Sequence, residues 1–370
     1  MNLKRRKSRG RGTRRAASRK FAFRRSQGGV GEGGTVVESG TPEDWVYGRS
    51  YFLVGGAGFI GSHFTDRLLA SDAIRTVTIF DNFSSGREWH FEQHHARGDA
   101  RLRVIRGDAA DLSALTQAMT GHDVVIHLAS NPDIARAAVE PEIDFYQGTL
   151  LTNNVVEASR RAGVPRLLYA SGSGVYGDMP DAALAEDHGP LRPVSTYGAS
   201  KLAGEALIAS YCAMFGFTAC AFRFGNVVGP RQTHGVGFDF VRRLGADPTR
   251  LCILGNGLQS KTYVHVSDIV EAVLNACRCV KSGFEVFNVG TGDDVTVTEI
   301  AEMAVECLGL SVKPRFEYTG GDRGWKGDVP VVRLDNRKIR SLGWRPKLNS
   351  RRAVYRSLKE LIADERTFVQ

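Results

Sequence analysis

Residues 51–62 read YFLVGGAGFIGS, a short apolar strand that runs directly into glycines at positions 55, 58 and 61. A helix with apolar Phe64, Leu68 and Leu69 follows, and this order is typical of a dinucleotide-binding turn. The first glycine would allow the tight turn, the second would let a pyrophosphate approach the backbone, and the third would let the helix pack close to the sheet. The N–H groups at the helix N-terminus would bind phosphate. A tight turn that binds nothing is the alternative interpretation.

An acidic residue follows this turn at the spacing that dinucleotide binding requires. Asp81 comes directly after the second predicted strand, residues 75–80, and lies 20 residues after Gly61. A carboxylate at this place can accept hydrogen bonds from both ribose hydroxyls of the adenosine, and it would repel a 2′-phosphate. The sequence therefore favours NAD over NADP, although the nearby Arg87 keeps NADP open.

The positive charge of the chain is concentrated at its N-terminus. The 370 residues carry a formal net charge of +9. Residues 1–27 contain twelve Lys or Arg and no acidic residue, so residues 28–370, with 37 basic and 40 acidic residues, carry about −3. Glycine-rich residues 28–34 follow, and we predict a disordered tail over residues 1–48.

Three interpretations of this tail stay open. Its charge would bind nucleic acid or another anionic surface without specificity. Its Arg- and Ser-rich, acid-poor composition also fits a transit peptide. In the third interpretation the tail is an extension without function, which a start codon assigned too far upstream would produce. No apolar segment of a secretory signal follows the charges, and no stretch approaches ~18 consecutive apolar residues, so we expect no membrane partner.

The six cysteines, Cys212, Cys220, Cys252, Cys277, Cys279 and Cys307, are scattered over predicted helices and strands. None of them form CxxC pairs, and Cys277-x-Cys279 is too tight for a zinc half-site. The sequence therefore predicts no metal site, and it favours reduced thiols in a cytoplasmic protein.

Strand and helix patterns alternate from Tyr51 onwards, which predicts a parallel sheet with helices on both faces. Predicted strands cover residues 51–54, 75–80, 101–106, 123–129, 166–170 and 218–224, and predicted helices cover 152–162 and 196–214. We expect a dinucleotide-binding domain over 49–228 and a substrate-binding lobe over most of 229–370, from which 284–292 return to the main sheet. The predicted fold class is α/β, a doubly wound parallel sheet of the Rossmann type with a smaller interleaved C-terminal lobe.

Tyr197 and Lys201 stand four residues apart, on one face of the predicted helix 196–214. A tyrosine with a pKa of about 10 is a poor base at neutral pH. An ammonium group ~4 Å away contributes ~4 kcal/mol at an effective dielectric constant of ~20, which would lower the tyrosine pKa by up to ~3. A positively charged nicotinamide ring would add to this effect. Such pairs are common on solvated helix faces, but downstream of a dinucleotide turn this pair predicts a general base poised near pH 7.

The motifs occur in the order of a known family. They are the glycine turn at 55–61, Asp81, Gly107-Asp108, His127-Leu128-Ala129-Ser130, the Val175-Tyr176-Gly177 turn, Tyr197-x-x-x-Lys201 and Arg223-x-x-Asn226-x-x-Gly229-Pro230. Residues 51–356 thereby resemble the extended short-chain dehydrogenase/reductases, in particular the NAD-dependent nucleotide-sugar epimerase/dehydratase family. Within it they are most similar to the branch of UDP-galactose (UDP-glucose) 4-epimerase-like proteins, on stretches at 226–231, 234–236, 238–240 and 324–330.

The resemblance implies roles for residues at matching positions. Tyr197 and Lys201 would be catalytic, with Ser173 or Ser171 as a hydroxyl that shares the proton. NAD would be bound by Gly55, Gly58, Phe59, Ile60, Gly61, Asp81, Asn82, Asp108, Ala109, Leu128, Ala129, Ser130, Tyr197, Lys201 and Phe224. The nucleotide sugar would be bound by Asn226, Lys261 and Arg323. The two cations would face the diphosphate, although Lys cannot form the bidentate fork of Arg.

The sequence departs from the family pattern at two glycines. The family carries Ser or Thr four residues before the Tyr of the Val-Tyr-Gly turn, and this chain has Gly172 there. The family also carries an Asn that supports the active-site backbone at the position of Gly148. We therefore expect the helix near Gly148 to differ, and Ser173 and Ser171 are the candidates to replace the missing hydroxyl.

The segment Ser173-Gly174 separates the reactions of the family. In 4,6-dehydratases of the family an Asp-Glu pair stands here, and decarboxylases require a Glu; this chain has neither. The resemblance then implies 4-epimerisation of a UDP-hexose through a transient 4-keto sugar. A nucleotide-sugar dehydrogenase or reductase, and a catalytically impaired protein that binds NAD or a nucleotide sugar, are the alternatives. The resemblance also implies a homodimer, through helices near 142–162 and 196–214.

Overall fold

The apolar run before the glycine turn forms a strand, as the sequence predicts. The computed structural model describes residues 47–131, 133–179 and 183–369. Its strands are β1 (Ser50–Val54), β2 (Thr76–Asp81), β3 (Leu102–Arg106), β4 (Val124–His127), β5 (Arg166–Gly172), β6 (Thr218–Phe224), β7 (Asn226–Val228), β8 (Arg250–Ile253), β9 (Ser260–Lys261), β10 (Tyr263–His265), β11 (Phe284–Val289), β12 (Val295–Thr296), β13 (Arg315–Tyr318) and β14 (Val331–Val332).

The helices begin and end at residues whose chemistry suits these places. They are α1 (Phe59–Leu69), α2 (Glu92–Ala96), α3 (Leu112–Met119), α4 (Leu151–Ala162), α5 (Thr196–Phe215), α6 (Val236–Ala246), α7 (Val266–Cys279), α8 (Val297–Cys307), α9 (Arg337–Ser341), α10 (Ser350–Ala363) and α11 (Arg366–Val369). The side chain of Ser195 caps the N-terminus of α5, and Gly216 ends that helix in the left-handed conformation.

A seven-stranded sheet organises the described residues. Its order is β11-β6-β5-β4-β1-β2-β3, and each neighbouring pair is parallel. β1 lies between β2 and β4, so the strand order reverses direction on either side of β1. Ligands bind at such a switch point, outside the carboxyl ends of the strands. The predicted doubly wound α/β fold is thus confirmed.

The sheet is covered on both faces because side chains alternate along its strands. In β1, Tyr51 and Leu53 join the apolar core beneath α1 and α7. Phe52 and Val54 point the other way, into the core beneath α3, α4 and α5. An all-parallel sheet needs such double cover.

A separate apolar core holds the smaller lobe together. It is built from buried residues of α6, α8 and α10 and of the short strands β8 and β10, among them Phe240, Ile300 and Leu358. Between these elements the chain returns to the main sheet, where β11 pairs with β6 in register from Phe284 to Val289. The two parts are therefore interleaved along the chain. We propose the division near residue 228 as the domain boundary.

The predicted tail over residues 1–48 lies almost wholly outside the described residues and stays a prediction. Among the helices of the described ranges, none is both long enough and apolar enough to cross a membrane.

Candidate active site

A cavity of about 810 Å³ opens at the carboxyl ends of the main-sheet strands and continues under the smaller lobe. Its wall includes nearly every residue that the sequence singled out: Gly55, Gly58, Phe59, Ile60, Gly61, Asp81, Asn82, Asp108, Ala109, Leu128, Ala129, Ser130, Ser171, Ser173, Tyr197, Lys201, Phe224, Asn226 and Lys261. Arg323 does not line it, although the next two residues do.

The glycine turn after β1 is built by close backbone approach. Gly55 has φ +76°, and a Cβ there would lie 2.6 Å from the backbone nitrogen of Ala129. A Cβ on Gly61 would lie 2.5 Å from the carbonyl oxygen of Gly56. Side chains at these two positions would push α1 and the β4 loop away from β1.

The space around Gly58 indicates whether a pyrophosphate can approach the backbone of this turn. Gly58 is the N-cap of α1, and a Cβ there would touch only the carbonyl oxygen of Gly55, at 3.4 Å, among the described atoms. The space beside Gly58 is therefore open to the cavity, and a side chain at this position would occupy that space. An open backbone at a helix N-terminus is a suitable cradle for phosphate, so the residues present fit a dinucleotide.

Asp81 joins the turn to the loop after β2. Its buried carboxylate accepts hydrogen bonds from the backbone N–H groups of Ala57, at 2.9 Å, and Phe83, at 2.8 Å. Burial raises the pKa of this carboxyl group. The Arg87 guanidinium donates to the carbonyl oxygens of Ser85 and Gly86, both at 3.1 Å, within its own loop.

Lys201 reaches from α5 to the end of β5. Its Nζ donates to the carbonyl oxygen of Ala170 at 2.8 Å and lies 5.4 Å from the ring centroid of Tyr197. The ring of Tyr169 lies on another side of the ammonium group, with its centroid at 5.2 Å. The spacing along the helix thus brings the predicted pair together in one wall of the cavity.

The prediction that Lys201 lowers the pKa of Tyr197 below its usual value is wrong. Burial raises the pKa of Tyr197 to about 12, and a hydrogen bond with Ser130 opposes the rise. Burial also lowers the pKa of Lys201 to about 8. Loss of water around both groups outweighs their interaction, because the ammonium group is directed at a backbone carbonyl rather than at the phenol oxygen.

The two candidate serines have different surroundings. Ser171 donates a hydrogen bond of 2.5 Å to the buried carboxylate of Glu205, which also pairs with Arg223. Ser173 lines the cavity and forms no hydrogen bond with another described residue. Between them, a Cβ on Gly172 would meet no described atom within 4 Å. Of the two serines, Ser173 is the one whose hydroxyl is uncommitted.

The chain around Gly148 is π-helical, and whether this differs from the rest of the family stays a prediction. Residues Phe145–Leu150 form a π-helical segment that leads into α4. A Cβ on Gly148 would lie 2.5 Å from the Oγ of Ser200, so α5 occupies the space of a side chain at this position. Close packing of α5 therefore accounts for the glycine.

Both predicted phosphate-binding cations have carboxylate partners. Lys261 forms an ion pair with the buried Asp328, and its Nζ lies 4.9 Å from the ring centroid of Trp325. Arg323 pairs with Asp178 and donates to the carbonyl oxygen of Asp328. Asp328 thus offsets the charge of Lys261 and orients the segment that carries Arg323.

Sequence reasoning missed several residues of the lobe side of the cavity. They include His234, Asp239, Arg243, Gln259, Trp325 and Asp328. Helical spacing could have identified two of them. Asp239 and Arg243 lie at i+3 and i+7 from Val236 along α6, and all three residues line the cavity from one face of that helix. Trp325 and Asp328 lie inside the stretch 324–330 that carried the resemblance, but their contact with Lys261 depends on the tertiary fold.

Comparison with known proteins agrees with this geometry. The sequence profile of the "NAD dependent epimerase/dehydratase family" matches residues 51–290. The chain is 34% identical over 304 residues to a UDP-glucose 4-epimerase of Mycolicibacterium smegmatis, an alignment that covers 80% of this chain and 93% of that protein. It is also 31% identical over 304 residues to a dTDP-glucose 4,6-dehydratase of Actinoplanes sp., over 80% and 92% of the two chains.

Solved structures with the same fold have sequence identities similar to those of these relatives. A crystal structure of UDP-galactose 4-epimerase has a TM-score of 0.74 and 36% identity, and covers 84% of this chain and 98% of its own. MoeE5 in complex with UDP-glucose and NAD has a TM-score of 0.72 and 31% identity, with the same coverage. The chain belongs to the NAD-dependent epimerase/dehydratase family, within the extended short-chain dehydrogenase/reductases. The family is NAD-dependent, the curated relatives above are named for nucleotide sugars, and MoeE5 was solved with UDP-glucose and NAD.

Proposed function

We propose that the protein is an NAD-dependent nucleotide-sugar 4-epimerase of the UDP-glucose/UDP-galactose type. One observation carries the choice within the family: the strand end after β5 places Ser173-Gly174 in the cavity wall, where elimination of water would need a carboxyl acid and a carboxylate base. Tyr197 remains as the acid–base group. A tyrosine and a hydride carrier suffice for oxidation at C4 and for return of the hydride to either face.

The glycine turn and Asp81 would hold NAD, which would supply the hydride acceptor for oxidation at the sugar C4. Tyr197 takes the proton of the C4 hydroxyl. It returns the proton after the 4-keto sugar has rotated and presents its other face. Lys201 keeps a positive charge beside the phenol and favours its ionised form. The positive charge of oxidised NAD would act in the same direction, against the burial that raises the pKa of Tyr197 to about 12.

The nucleotide end of the substrate needs firmer binding than the sugar, because the keto sugar must present both faces. Asn226 and Lys261 line the lobe side of the cavity and are suited to the diphosphate. Arg323 would approach it only if the Asp178 pair opened. Near the sugar, Gly172 and Gly174 offer no side chains, which leaves room for rotation.

A catalytically impaired binding protein is the second candidate, and one contact favours it. Ser171 is hydrogen-bonded to Glu205 and Gly172 has no hydroxyl, so a proton-sharing partner for Tyr197 must come from Ser173 or Ser130. An oxidoreductase that releases reduced cofactor in each turnover is distinguished from an epimerase by net NADH production.

The test is a panel of UDP-, dTDP- and GDP-hexoses incubated with the purified protein and NAD, with products identified by NMR. We expect interconversion of UDP-glucose and UDP-galactose without net NADH. Tyr197→Phe should lose at least about a thousandfold in kcat and still bind NAD, whereas Tyr211→Phe on the same helix should match the wild type. Unchanged turnover in Tyr197→Phe would remove the assignment.

We further propose that the protein is a cytoplasmic homodimer. Apolar side chains beside α4 and at the end of α5 support the dimer, since Phe145 and Met214 are 55% and 70% exposed. All six cysteines are free thiols, and Cys212, Cys220 and Cys277 are buried, which suits a reducing compartment.

A further inference from the structure

A buried carboxylate lies beside the catalytic pair and belongs to none of the motifs. Asp144 is 1% exposed and comes directly before the π-helical segment. One of its oxygens accepts a hydrogen bond from the Thr196 hydroxyl at 2.7 Å, and the other accepts one from the Asn131 side chain at 2.9 Å. A buried carboxylate is costly unless such partners satisfy it.

These contacts join three chain segments around the phenol of Tyr197. Thr196 is the first residue of α5 and the neighbour of Tyr197. Asn131 follows Ser130 in the cavity wall, and its amide exchanges hydrogen bonds with the backbone of Asp133. Asp144 therefore holds the start of the catalytic helix and the loop after β4 against each other.

The charge of Asp144 acts on both members of the catalytic pair. It raises the pKa of Tyr197 and that of Lys201, opposing in the lysine the larger effect of burial. The other titratable groups at this place are His127 on β4, whose pKa burial lowers to about 3, and Tyr169 on β5. His127 is thus neutral, and Glu205, which acts on Tyr169, is balanced by Arg223.

We propose that Asp144 is a positioning residue of the active site, which fixes Tyr197 through Thr196 and Asn131 and whose negative charge sets the pH range in which the Tyr197–Lys201 pair works. The inference rests on the proposed function, because it assigns Tyr197 the acid–base step. It assigns a role in the site to a buried residue that does not line the cavity.

The test is the pH profile of kcat for Asp144→Asn. Tyr197 accepts the proton in its ionised form, so removal of a neighbouring negative charge should lower its pKa and move the acid limb to lower pH. The same removal should lower the pKa of Lys201, so the basic limb should move in the same direction. We expect a shift of roughly one pH unit for the whole profile, the size that one nearby charge produces.

Two control variants separate charge from position. Thr196→Val keeps the carboxylate and removes one hydrogen bond, so kcat should fall roughly tenfold with the profile unmoved. Asp144→Glu keeps the charge and should leave the profile near that of the wild type. If Asp144→Asn folds and its pH profile does not move, the proposed effect of the Asp144 charge is wrong. If neither Thr196→Val nor Asn131→Ala changes kcat, the proposed positioning of Tyr197 is wrong. This second test does not require Asp144→Asn to fold.

A direct readout keeps this inference distinct from the proposed function. Tyrosinate absorbance, taken as the difference from Tyr197→Phe in the same background, reports ionisation of Tyr197 without any turnover. A lower midpoint in Asp144→Asn supports the inference even if no sugar nucleotide is epimerised. An unchanged midpoint contradicts it even if the enzyme is active.

Discussion

At the scale of single residues, Gly172 occupies the position where the resemblance leads us to expect a hydroxyl side chain. Its backbone is extended, with φ −156° and ψ 160°, which any residue can adopt. An added Cβ would meet no described atom within 4 Å. Neither strain nor crowding therefore accounts for the glycine. The neighbouring Ser173 has the only uncommitted hydroxyl of the two serines that the sequence proposed.

A rescue experiment follows from the open space at Gly172. Ser173→Ala should lower kcat roughly tenfold to a hundredfold, because a hydroxyl that assists proton transfer is lost. The double variant Gly172→Ser, Ser173→Ala should recover part of this loss, since a side chain at 172 fits without movement of its neighbours. Steady-state kinetics with the nucleotide sugar measure both.

Ser171→Ala is the matched control for this pair. It should leave kcat within a few fold of the wild type and lower the melting temperature, because it leaves Glu205 with one donor fewer. A larger loss of kcat in Ser171→Ala than in Ser173→Ala would reverse the two roles.

For the candidate active site, the sequence predicted which side chains lie together better than it predicted their pKa values. Tyr197 and Lys201 meet because they lie four residues apart on α5. Their pKa values depend on burial and on Asp144, which precedes α4 and has no periodic relation to either. The ion pair of Lys261 with Asp328 has the same origin, since partners distant in sequence come together only through the tertiary fold.

At the scale of elements, one buried ion pair ties α5 to the centre of the sheet. Glu205 on α5 pairs with Arg223 on β6, with side chains 5% and 4% exposed, and Ser171 at the end of β5 donates to the same carboxylate. Arg223 also donates to the carbonyl oxygen of Glu186, at 3.1 Å. The helix α5, which carries Tyr197 and Lys201, is thereby anchored to two neighbouring strands.

Removal of one partner should be severe for stability. Glu205→Leu leaves the Arg223 guanidinium buried without a counter-charge, so we expect the free energy of unfolding to fall by about 3–5 kcal/mol. The double variant Glu205→Leu, Arg223→Met should lose much less, because no unpaired charge remains. Urea denaturation of the three proteins gives these values.

An exposed pair provides the comparison for this prediction. Arg136 and Glu140, at i and i+4, are each about half exposed, and Glu140→Ala should leave the free energy of unfolding close to that of the wild type, because water screens an exposed pair. If the double variant Glu205→Leu, Arg223→Met were as unstable as Glu205→Leu alone, lost packing rather than an unpaired charge would dominate the loss of stability.

The strands were predictable because a parallel sheet buried on both faces requires continuous apolar runs between glycine-rich turns. Residues 218–224 are bounded in the structure as the pattern predicted, and β5 extends two residues further, to Gly172. The π-helical segment Phe145–Leu150 has no comparable pattern. It depends on how closely α5 approaches Gly148, a packing relation that local propensity does not carry.

At the scale of the whole molecule, the cavity draws its wall from both parts of the chain. The main sheet contributes the glycine turn and Asp81, whereas α6, β9 and the segment near Asp328 contribute the lobe side. A ligand that contacts both sides should stabilise them together. Because β11 returns to the main sheet between the lobe elements, the chain crosses between the two parts more than once, whereas an appended domain is joined by a single crossing.

The proposed homodimer has a surface that can be tested. Phe145 and Tyr146 lie beside α4, and Met214 lies near the end of α5, all more than half exposed; exposed aromatic and Met side chains are enriched in interfaces. Met214→Glu together with Phe145→Glu should convert a dimer to a monomer in size-exclusion chromatography with light scattering, because each charge would be buried against its symmetry copy. Val312→Glu, at a position that is 76% exposed on the lobe, should leave the dimer intact. A wild-type protein that is monomeric at micromolar concentration would contradict the proposal, and dissociation by Val312→Glu alone would move the interface to the lobe.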